Sequence, residues 1–131
     1  MSLVDHIKQE EGFRGEPYTD TEGYLTIGYG TKLPLTEKEA ELLLKYRLNK
    51  LQTEVKEKLH DLKAPEEVWD ILYHMAYQLG ANGLFKFKKM ISALYKLDYN
   101  KAADEGLDSL WAVQTPNRAN RLMEQLRNIK V

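Results

Sequence analysis

Residues 10–30 read EEGFRGEPYTDTEGYLTIGYG and hold five of the chain's eight glycines. Glycine destabilises a helix, so this segment predicts a break in a chain that is otherwise helical. Its aromatic and β-branched residues are strand formers, and DTEG at 20–23 is typical of a turn between two strands. The segment therefore predicts a small antiparallel sheet, either a hairpin or three strands.

Helical patterns lie on both sides of this segment. The first helix is expected to end at Gly12, because glycine is the usual residue just past a helix end. Thr36 and Glu39 form a capping box, which predicts a long amphipathic helix over about 37–60. Another helix is expected over 65–79, with proline at its first position. Three shorter helices are expected near 86–96, 99–108 and 116–129.

These patterns predict an α+β, mainly α fold in one domain, the usual organisation for 131 residues. The domain is expected to have a small β-bearing lobe at about 12–35, a connecting helix at about 37–60 and a helical lobe at about 64–131. Trp69 and Trp111 fall on helical stripes or at helix ends, so we expect both in the core.

The composition narrows the classes of function. The chain has no cysteine, which excludes disulfides and thiolate metal sites, and its three histidines share no ligand spacing. A formal net charge of −1 argues against a general nucleic-acid binder. No apolar run approaches the roughly 20 residues that span a bilayer, and no signal-peptide pattern opens the chain. We therefore expect no metal, no cofactor, no nucleic acid, no stable membrane association and synthesis in the cytoplasm.

Two carboxylates near the glycine-rich segment have contrasting expected surroundings. Glu11 falls at the C-terminal end of the first helix, where the helix dipole and the neighbouring Glu10 favour its protonated form. Asp20 falls in a polar turn that favours the ionised form. One proton donor and one ionised carboxylate are what acid–base cleavage of a glycosidic bond requires. The alternative is ordinary local structure, because aspartate often opens a turn and glutamate is common in helices.

Three collinear blocks of sequence span most of the chain. The first is Glu11-Gly12, YTDTEG at 18–23 and TIGYG at 26–30. A looser block is YQLG at 77–80 with Gly83 and Phe87, and the last is Trp111 with QTPNRA at 114–119. The first block has the pattern Glu-Gly, Tyr-x-Asp-x-x-Gly, Thr-Ile-Gly-x-Gly. Together the blocks resemble the phage-type lysozyme family, glycoside hydrolase family 24.

This resemblance implies a lysozyme-like fold of two lobes with a cleft between them. It also implies hydrolysis of the β-1,4 bond between N-acetylmuramic acid and N-acetylglucosamine in bacterial peptidoglycan. In that scheme Glu11 is the general acid, and Asp20 and Thr26 together hold the attacking water, with Asp20 as base or electrostatic partner. Inversion at the anomeric carbon follows from the same resemblance.

Further site residues are carried over from the family. Tyr77 and Gln78 are expected to contact sugars, and Lys32 is expected at the lip of the cleft as a third substrate-binding residue. Arg118 and Tyr18 are expected to support the site, Arg118 by approaching the general acid and favouring its ionised form. The plainer alternatives are that Tyr77 is a core aromatic residue and that Gln78 only lies at a polar helix end. Likewise, Arg118 would belong to a helix surface, and Lys32 would be an exposed loop lysine.

The chain departs from the family pattern in two places. Thr31 stands where the family has histidine after Gly-x-Gly, which predicts the loss of a supporting interaction. The connection between Gly30 and the long helix is short, which predicts a smaller β-lobe.

The leading hypothesis is an endolysin, a monomer whose partner is the peptidoglycan glycan strand. It would be made in the host cytoplasm and reach the wall through a separately made membrane hole. The first alternative is a catalytically silent wall-binding module, and the second is a helical adaptor. The intact set of Glu11, Asp20 and Thr26 favours the enzyme.

Overall fold

The structure, a computed structural model, describes residues 1–130 and is mainly helical with one small sheet. The helices are α1 (Leu3–Glu11), α2 (Glu37–Lys58), α3 (Glu66–Leu79), α4 (Ala81–Phe85), α5 (Lys88–Tyr95), α6 (Tyr99–Leu107), α7 (Leu110–Gln114) and α8 (Pro116–Arg127). The strands are β1 (Arg14–Thr19), β2 (Leu25–Gly28) and β3 (Thr31–Lys32). The predicted α+β, mainly α class is confirmed.

The chain forms two compact units, and the boundary between them lies inside α2. The N-terminal unit, Met1–Leu44, holds α1, the sheet and the first turns of α2. The C-terminal unit begins at Lys45 and holds the remaining helices. The predicted organisation as one domain stays a prediction. None of the helices within residues 1–130 is long and apolar enough to cross a membrane.

The sheet is antiparallel, with its strands in the order β1-β2-β3. Three strands therefore form, rather than the simple hairpin that the sequence left open. The register between β1 and β2 shifts between Arg14 and Tyr18. Pro17 lies within this interval and has no N–H to donate to the ladder, which accounts for the irregularity. Thr26 is central, because it pairs with Tyr18 on one side and with Lys32 on the other.

Local signals define both ends of α1, and its end at Gly12 is the predicted one. Ser2 and Asp5 form a reciprocal capping box at its start. Gly12 has a φ of 71°, and its N–H donates to the carbonyl of Lys8. This helix end leaves Glu11 as the last helical residue.

The C-terminal unit is built around a continuous apolar core. Val55 of α2, the inner face of α3 and residues of α4 to α8 are buried in it. Gly106 lies where α6 packs against its neighbours, and a Cβ there would come within 2.5 Å of the sulfur of Met123 and 3.2 Å of the sulfur of Met90. Trp69 and Trp111 are buried, which confirms the prediction for both.

The structure corrects three details of the predicted fold. Helices α4 and α7 were missed, because five residues are too few to give a helical period. Tyr24 lies just before β2 and Tyr29 in the turn after it, so neither is in a strand. The apolar stripe expected on the long helix is buried at Val55 and at Leu59 just past the end of α2, while Leu44 is exposed.

Candidate active site

Asp20 lies in the turn that follows β1, and its carboxylate accepts hydrogen bonds at both oxygens. Oδ1 accepts from the backbone N–H groups of Glu22 at 2.9 Å and Tyr24 at 2.8 Å. Oδ2 accepts from Nζ of Lys32 at 2.8 Å. The hydrogen bond from Lys32, and then that from Tyr24, lowers the pKa of Asp20 below its usual value. Asp20 is therefore held as an anion, as the sequence predicted for this turn.

Lys32 reaches Asp20 because of the register of the sheet. It stands on β3 opposite Thr26 of β2, so its side chain meets the turn that joins β1 to β2. Its Nζ also lies 4.9 Å from the centre of the Tyr24 ring. The Lys32 side chain is 56% exposed and that of Asp20 is 19% exposed. A sugar contact by Lys32 stays a prediction, whereas its ion pair with Asp20 was not foreseen.

Glu11 ends α1 and lies against the turn between β2 and β3. A Cβ added at Gly30 would come within 2.5 Å of Oε2 and 2.7 Å of Cδ of Glu11. Gly30 also has a φ of 74°, which favours glycine. Only glycine therefore allows the Glu11 carboxyl to approach this turn so closely. Glu11 itself is exposed.

Tyr29 connects α1 to the same turn through its ring. The ring centre lies 5.6 Å from that of Phe13, which follows α1. Nζ of Lys8 lies 5.3 Å from the Tyr29 ring centre, within cation–π range. These contacts hold the end of α1, and Glu11 with it, beside the β2–β3 turn.

Thr26 is buried, only 1% exposed, on the central strand. Its Oγ1 donates to the carbonyl of Tyr24 at 2.9 Å, while the N–H of Tyr24 donates to Asp20. Thr26 and Asp20 are thus both hydrogen bonded to Tyr24. The lone pairs of the Thr26 hydroxyl can accept a hydrogen bond. Tyr18 faces Thr26 across the sheet, and its ring stacks 4.4 Å from the Arg14 guanidinium carbon.

In the C-terminal unit, Gln78 belongs to a cluster around Trp111. The indole N–H of Trp111 donates to Oε1 of Gln78 at 2.9 Å, and Nε2 of Gln78 donates to Oγ1 of Thr115 at 3.4 Å. That hydroxyl donates in turn to the carbonyl of Trp111 at 2.9 Å. Because an indole nitrogen only donates, it determines which end of the Gln78 amide is the oxygen. Gln78 therefore has a positioning partner at each end of its amide.

Tyr77 and Arg118 lie on two helices of this unit. Tyr77, on α3, is 45% exposed and lines a groove with Arg47 and Gly80. Arg118, in the first turn of α8, lies near His74. Burial lowers the pKa of His74, and the positive charge of Arg118 lowers it further. The predicted approach of Arg118 to the general acid stays a prediction.

A recess of about 510 Å³ lies beside Trp111. Its walls include the rings of Phe87 and Trp111, whose centres are 5.9 Å apart in an edge-to-face arrangement. Lys89 and Glu105 place charges of opposite sign on its lining. Such a lining suits a ligand that carries both apolar and charged groups.

The sequence matches the model of the phage lysozyme family over residues 8–127. The chain belongs to the phage lysozyme family. The match includes the end of α1, the whole sheet and nearly all of the C-terminal unit. It confirms the resemblance to the phage lysozyme family that the three blocks of sequence indicated.

Three relatives are similar along most of the chain. The pre-baseplate central spike protein Gp5 of Enterobacteria phage T4 is 32% identical over 93% of this chain and 27% of its own length. Probable T4-type lysozymes 1 and 2 of Dictyostelium discoideum are 28% and 29% identical, over 93% of this chain and 91% of each. The chain thus spans about a quarter of the spike protein and about nine tenths of the two Dictyostelium proteins.

The aligned stretches extend over 155 to 158 positions, more than the 131 residues of this phage lysozyme family member. The relatives therefore carry residues that this chain lacks. That agrees with a shortened chain, while the place of the deletion after Gly30 stays a prediction.

Two features of this family member escaped the sequence analysis. The contact of Glu11 with Gly30 could have been suspected from the Gly-x-Gly pattern. The pairing of Lys32 with Asp20 had no local signal, because the two residues are 12 positions apart and meet only through the register of the strands. Within the described part of the chain, no group of three histidine or acidic side chains is arranged to hold a metal ion.

Proposed function

We propose that this chain is a lysozyme that hydrolyses the β-1,4 bond between N-acetylmuramic acid and N-acetylglucosamine in peptidoglycan. The observation that carries the proposal is the contrast between two carboxylates in the N-terminal unit. Asp20 accepts hydrogen bonds from three groups, which stabilise its anion. Glu11 is exposed and accepts no such bond from any of residues 1–130. Membership of the phage lysozyme family supports the same pair of roles.

In the proposed reaction Glu11 is the general acid. It gives its proton to the glycosidic oxygen as the bond from that oxygen to the anomeric carbon breaks. The oxygen of a water forms the new bond to the anomeric carbon from the opposite face, with inversion. The water gives one proton to the Asp20 carboxylate, which then releases it to solvent, and solvent returns a proton to Glu11. Thr26 accepts a hydrogen bond from the same water.

The proposal extends to binding and to biological role. Tyr77 and Gln78 are proposed to contact the glycan strand, with Arg118 and Tyr18 supporting the catalytic groups. The protein is proposed to act as a monomer on the bacterial wall, and its role is lysis of a host cell. The phage origin of the spike-protein relative and the name of the family support that role.

Glu11→Gln tests the proposal, because glutamine keeps the size of the side chain and cannot donate the required proton. We expect rates of clearing and of new reducing ends to fall about 10²- to 10⁴-fold, the usual contribution of a general acid. The assay uses permeabilised Gram-negative cells, with circular dichroism to check the fold. Glu16→Gln, an exposed carboxylate on β1, is the matched control and should keep full activity.

Two outcomes would contradict the proposal. Full activity in Glu11→Gln would remove Glu11 from the reaction. A folded wild type that binds purified wall and releases no reducing ends would point instead to a silent wall-binding module. The anomer released first, measured by proton NMR, tests inversion separately.

A further inference from the structure

The carboxylate of Asp20 has one acceptor position left open. An ionised carboxylate offers about four lone-pair positions. Two backbone N–H groups, those of Glu22 and Tyr24, occupy Oδ1. The ammonium of Lys32 occupies one position on Oδ2. A single further hydrogen bond can therefore be accepted, and it must be accepted at Oδ2.

Lys32 itself is held in a defined place. Its strand pairs with β2 at Thr26 and Ile27, and the N–H of Leu33 donates to the carbonyl of Leu25 at 2.8 Å, extending the ladder past β3. The Lys32 ammonium lies 2.8 Å from Oδ2 of Asp20 and 4.9 Å from the centre of the Tyr24 ring. A charge on a long side chain that is 56% exposed gains little stability from one ion pair, so a stabilising role alone does not account for this placement.

We propose that Lys32 is a positioning residue for the reaction: it keeps Asp20 ionised and leaves Oδ2 a single acceptor position, which the attacking water takes. This inference rests on the proposed function, in which Asp20 receives a proton from that water. Lys32 then acts through Asp20 and makes no contact with the reacting atoms.

The pairing also defines what kind of base Asp20 is. Lys32 is the main cause of the lowered pKa of Asp20, so the carboxylate is a weak base that stays charged in acid. Its principal contribution is then to orient the water and to place negative charge near the anomeric carbon as positive charge develops there. Activity that requires ionised Asp20 is lost only as the pH falls through this lowered pKa.

Lys32→Met removes the ammonium and keeps most of the side chain. We expect the pKa of Asp20 to rise and the acidic limb of the kcat–pH profile to move to higher pH, leaving the alkaline limb unchanged. We expect kcat to fall about tenfold, part of the 10²- to 10⁴-fold effect of an acid–base group, with KM nearly constant. Lys32→Arg keeps the charge, so it should restore both the lowered pKa of Asp20 and the position of the acidic limb of the kcat–pH profile.

The experiment combines two measurements on the full chain. Carboxyl carbon NMR follows the titration of Asp20 without substrate, and the rate of reducing-end release gives kcat and KM against pH. Lys38→Met, an exposed lysine on α2, is the matched control. An unchanged titration and limb in Lys32→Met, or a rise in KM alone, would overturn the inference and favour either a passive ion pair or a direct sugar contact.

The outcomes separate this inference from the function on which it rests. An active wild type with an unaltered Lys32→Met variant overturns the role of Lys32 only. A folded wild type without glycosidase activity overturns the proposed function and the role of Lys32 together, even where the NMR titration still reports the ion pair.

Discussion

Each of the two units of the chain is stabilised by a different kind of interaction. Taken by itself, the N-terminal unit buries one side chain, that of Thr26, and its other fixed features are turns, caps and hydrogen bonds. The C-terminal unit has a continuous core of aliphatic, aromatic and methionine side chains. Yet the two candidate catalytic carboxylates both lie in the N-terminal unit. In the N-terminal unit, backbone geometry therefore places the polar groups precisely, whereas in the C-terminal unit the burial of apolar side chains supplies stability.

The largest expected effect tests whether the apolar core of the C-terminal unit stabilises the protein. Leu72 on α3 is 1% exposed, so Leu72→Ala should lower the free energy of unfolding by about 2–5 kcal/mol. Urea unfolding measures the loss. Leu110→Ala removes the same atoms from a side chain that is 67% exposed and should change stability by at most about 0.5 kcal/mol. Equal losses in the two variants would show that the core is not where the structure places it.

An intermediate effect tests whether the backbone of the N-terminal unit determines the position of the Glu11 carboxyl. Gly30→Ala places a methyl group 2.5 Å from Oε2 of Glu11 and must displace that carboxyl. We expect activity to fall by about tenfold or more, since small displacements of a catalytic group are costly. Gly28→Ala is the matched control: its φ of 71° imposes similar backbone strain, and no atom lies within 4 Å of the added carbon. If both variants lose activity equally, strain in the turn and not contact with Glu11 is responsible.

The smallest effect sharpens the comparison by using a hydrogen-bonded carboxylate of the C-terminal unit, that of Asp61. Tyr95 donates its hydroxyl proton to Asp61 at 2.7 Å, and this bond is the main reason that the pKa of Tyr95 rises to about 12. Asp61→Asn should return the pKa of Tyr95 toward 10.0, the ordinary value, as followed by ultraviolet absorbance. Activity should not change. A loss of activity would mean that chemistry is not confined to the N-terminal carboxylates.

The same pair predicts how stability depends on pH. The pKa of Tyr95 is raised by folding, so its contribution is complete below pH 10.0 and is lost as the pH rises toward about 12. The hydrogen bond from Tyr95 lowers the pKa of Asp61, so that contribution is complete above pH 3.8 and is lost as the pH falls further. Thermal melting of wild type and Tyr95→Phe should therefore converge at both extremes of pH.

Much of the fold could be predicted because its signals are local. Gly12 ends α1, the Thr36–Glu39 box opens α2, and DTEG at 20–23 forms the turn after β1. The site was predicted in part: Asp20 is ionised as expected, with two hydrogen bonds from its turn adding to the larger effect of Lys32. The short helix α7 escaped because its cap, Ser109, is followed by only five helical residues.

The sequence by itself determined where the longer helices lie, that a small sheet follows α1 and that the chain belongs to the phage lysozyme family. Those features depend on residues within a few positions of one another, or on motifs that can be recognised in the sequence without the structure. Only the tertiary structure decided that Lys32 pairs with Asp20 and that Glu11 lies against Gly30. Both contacts require strands in one particular register, and register depends on the packing and hydrogen bonding of residues that are distant in the chain.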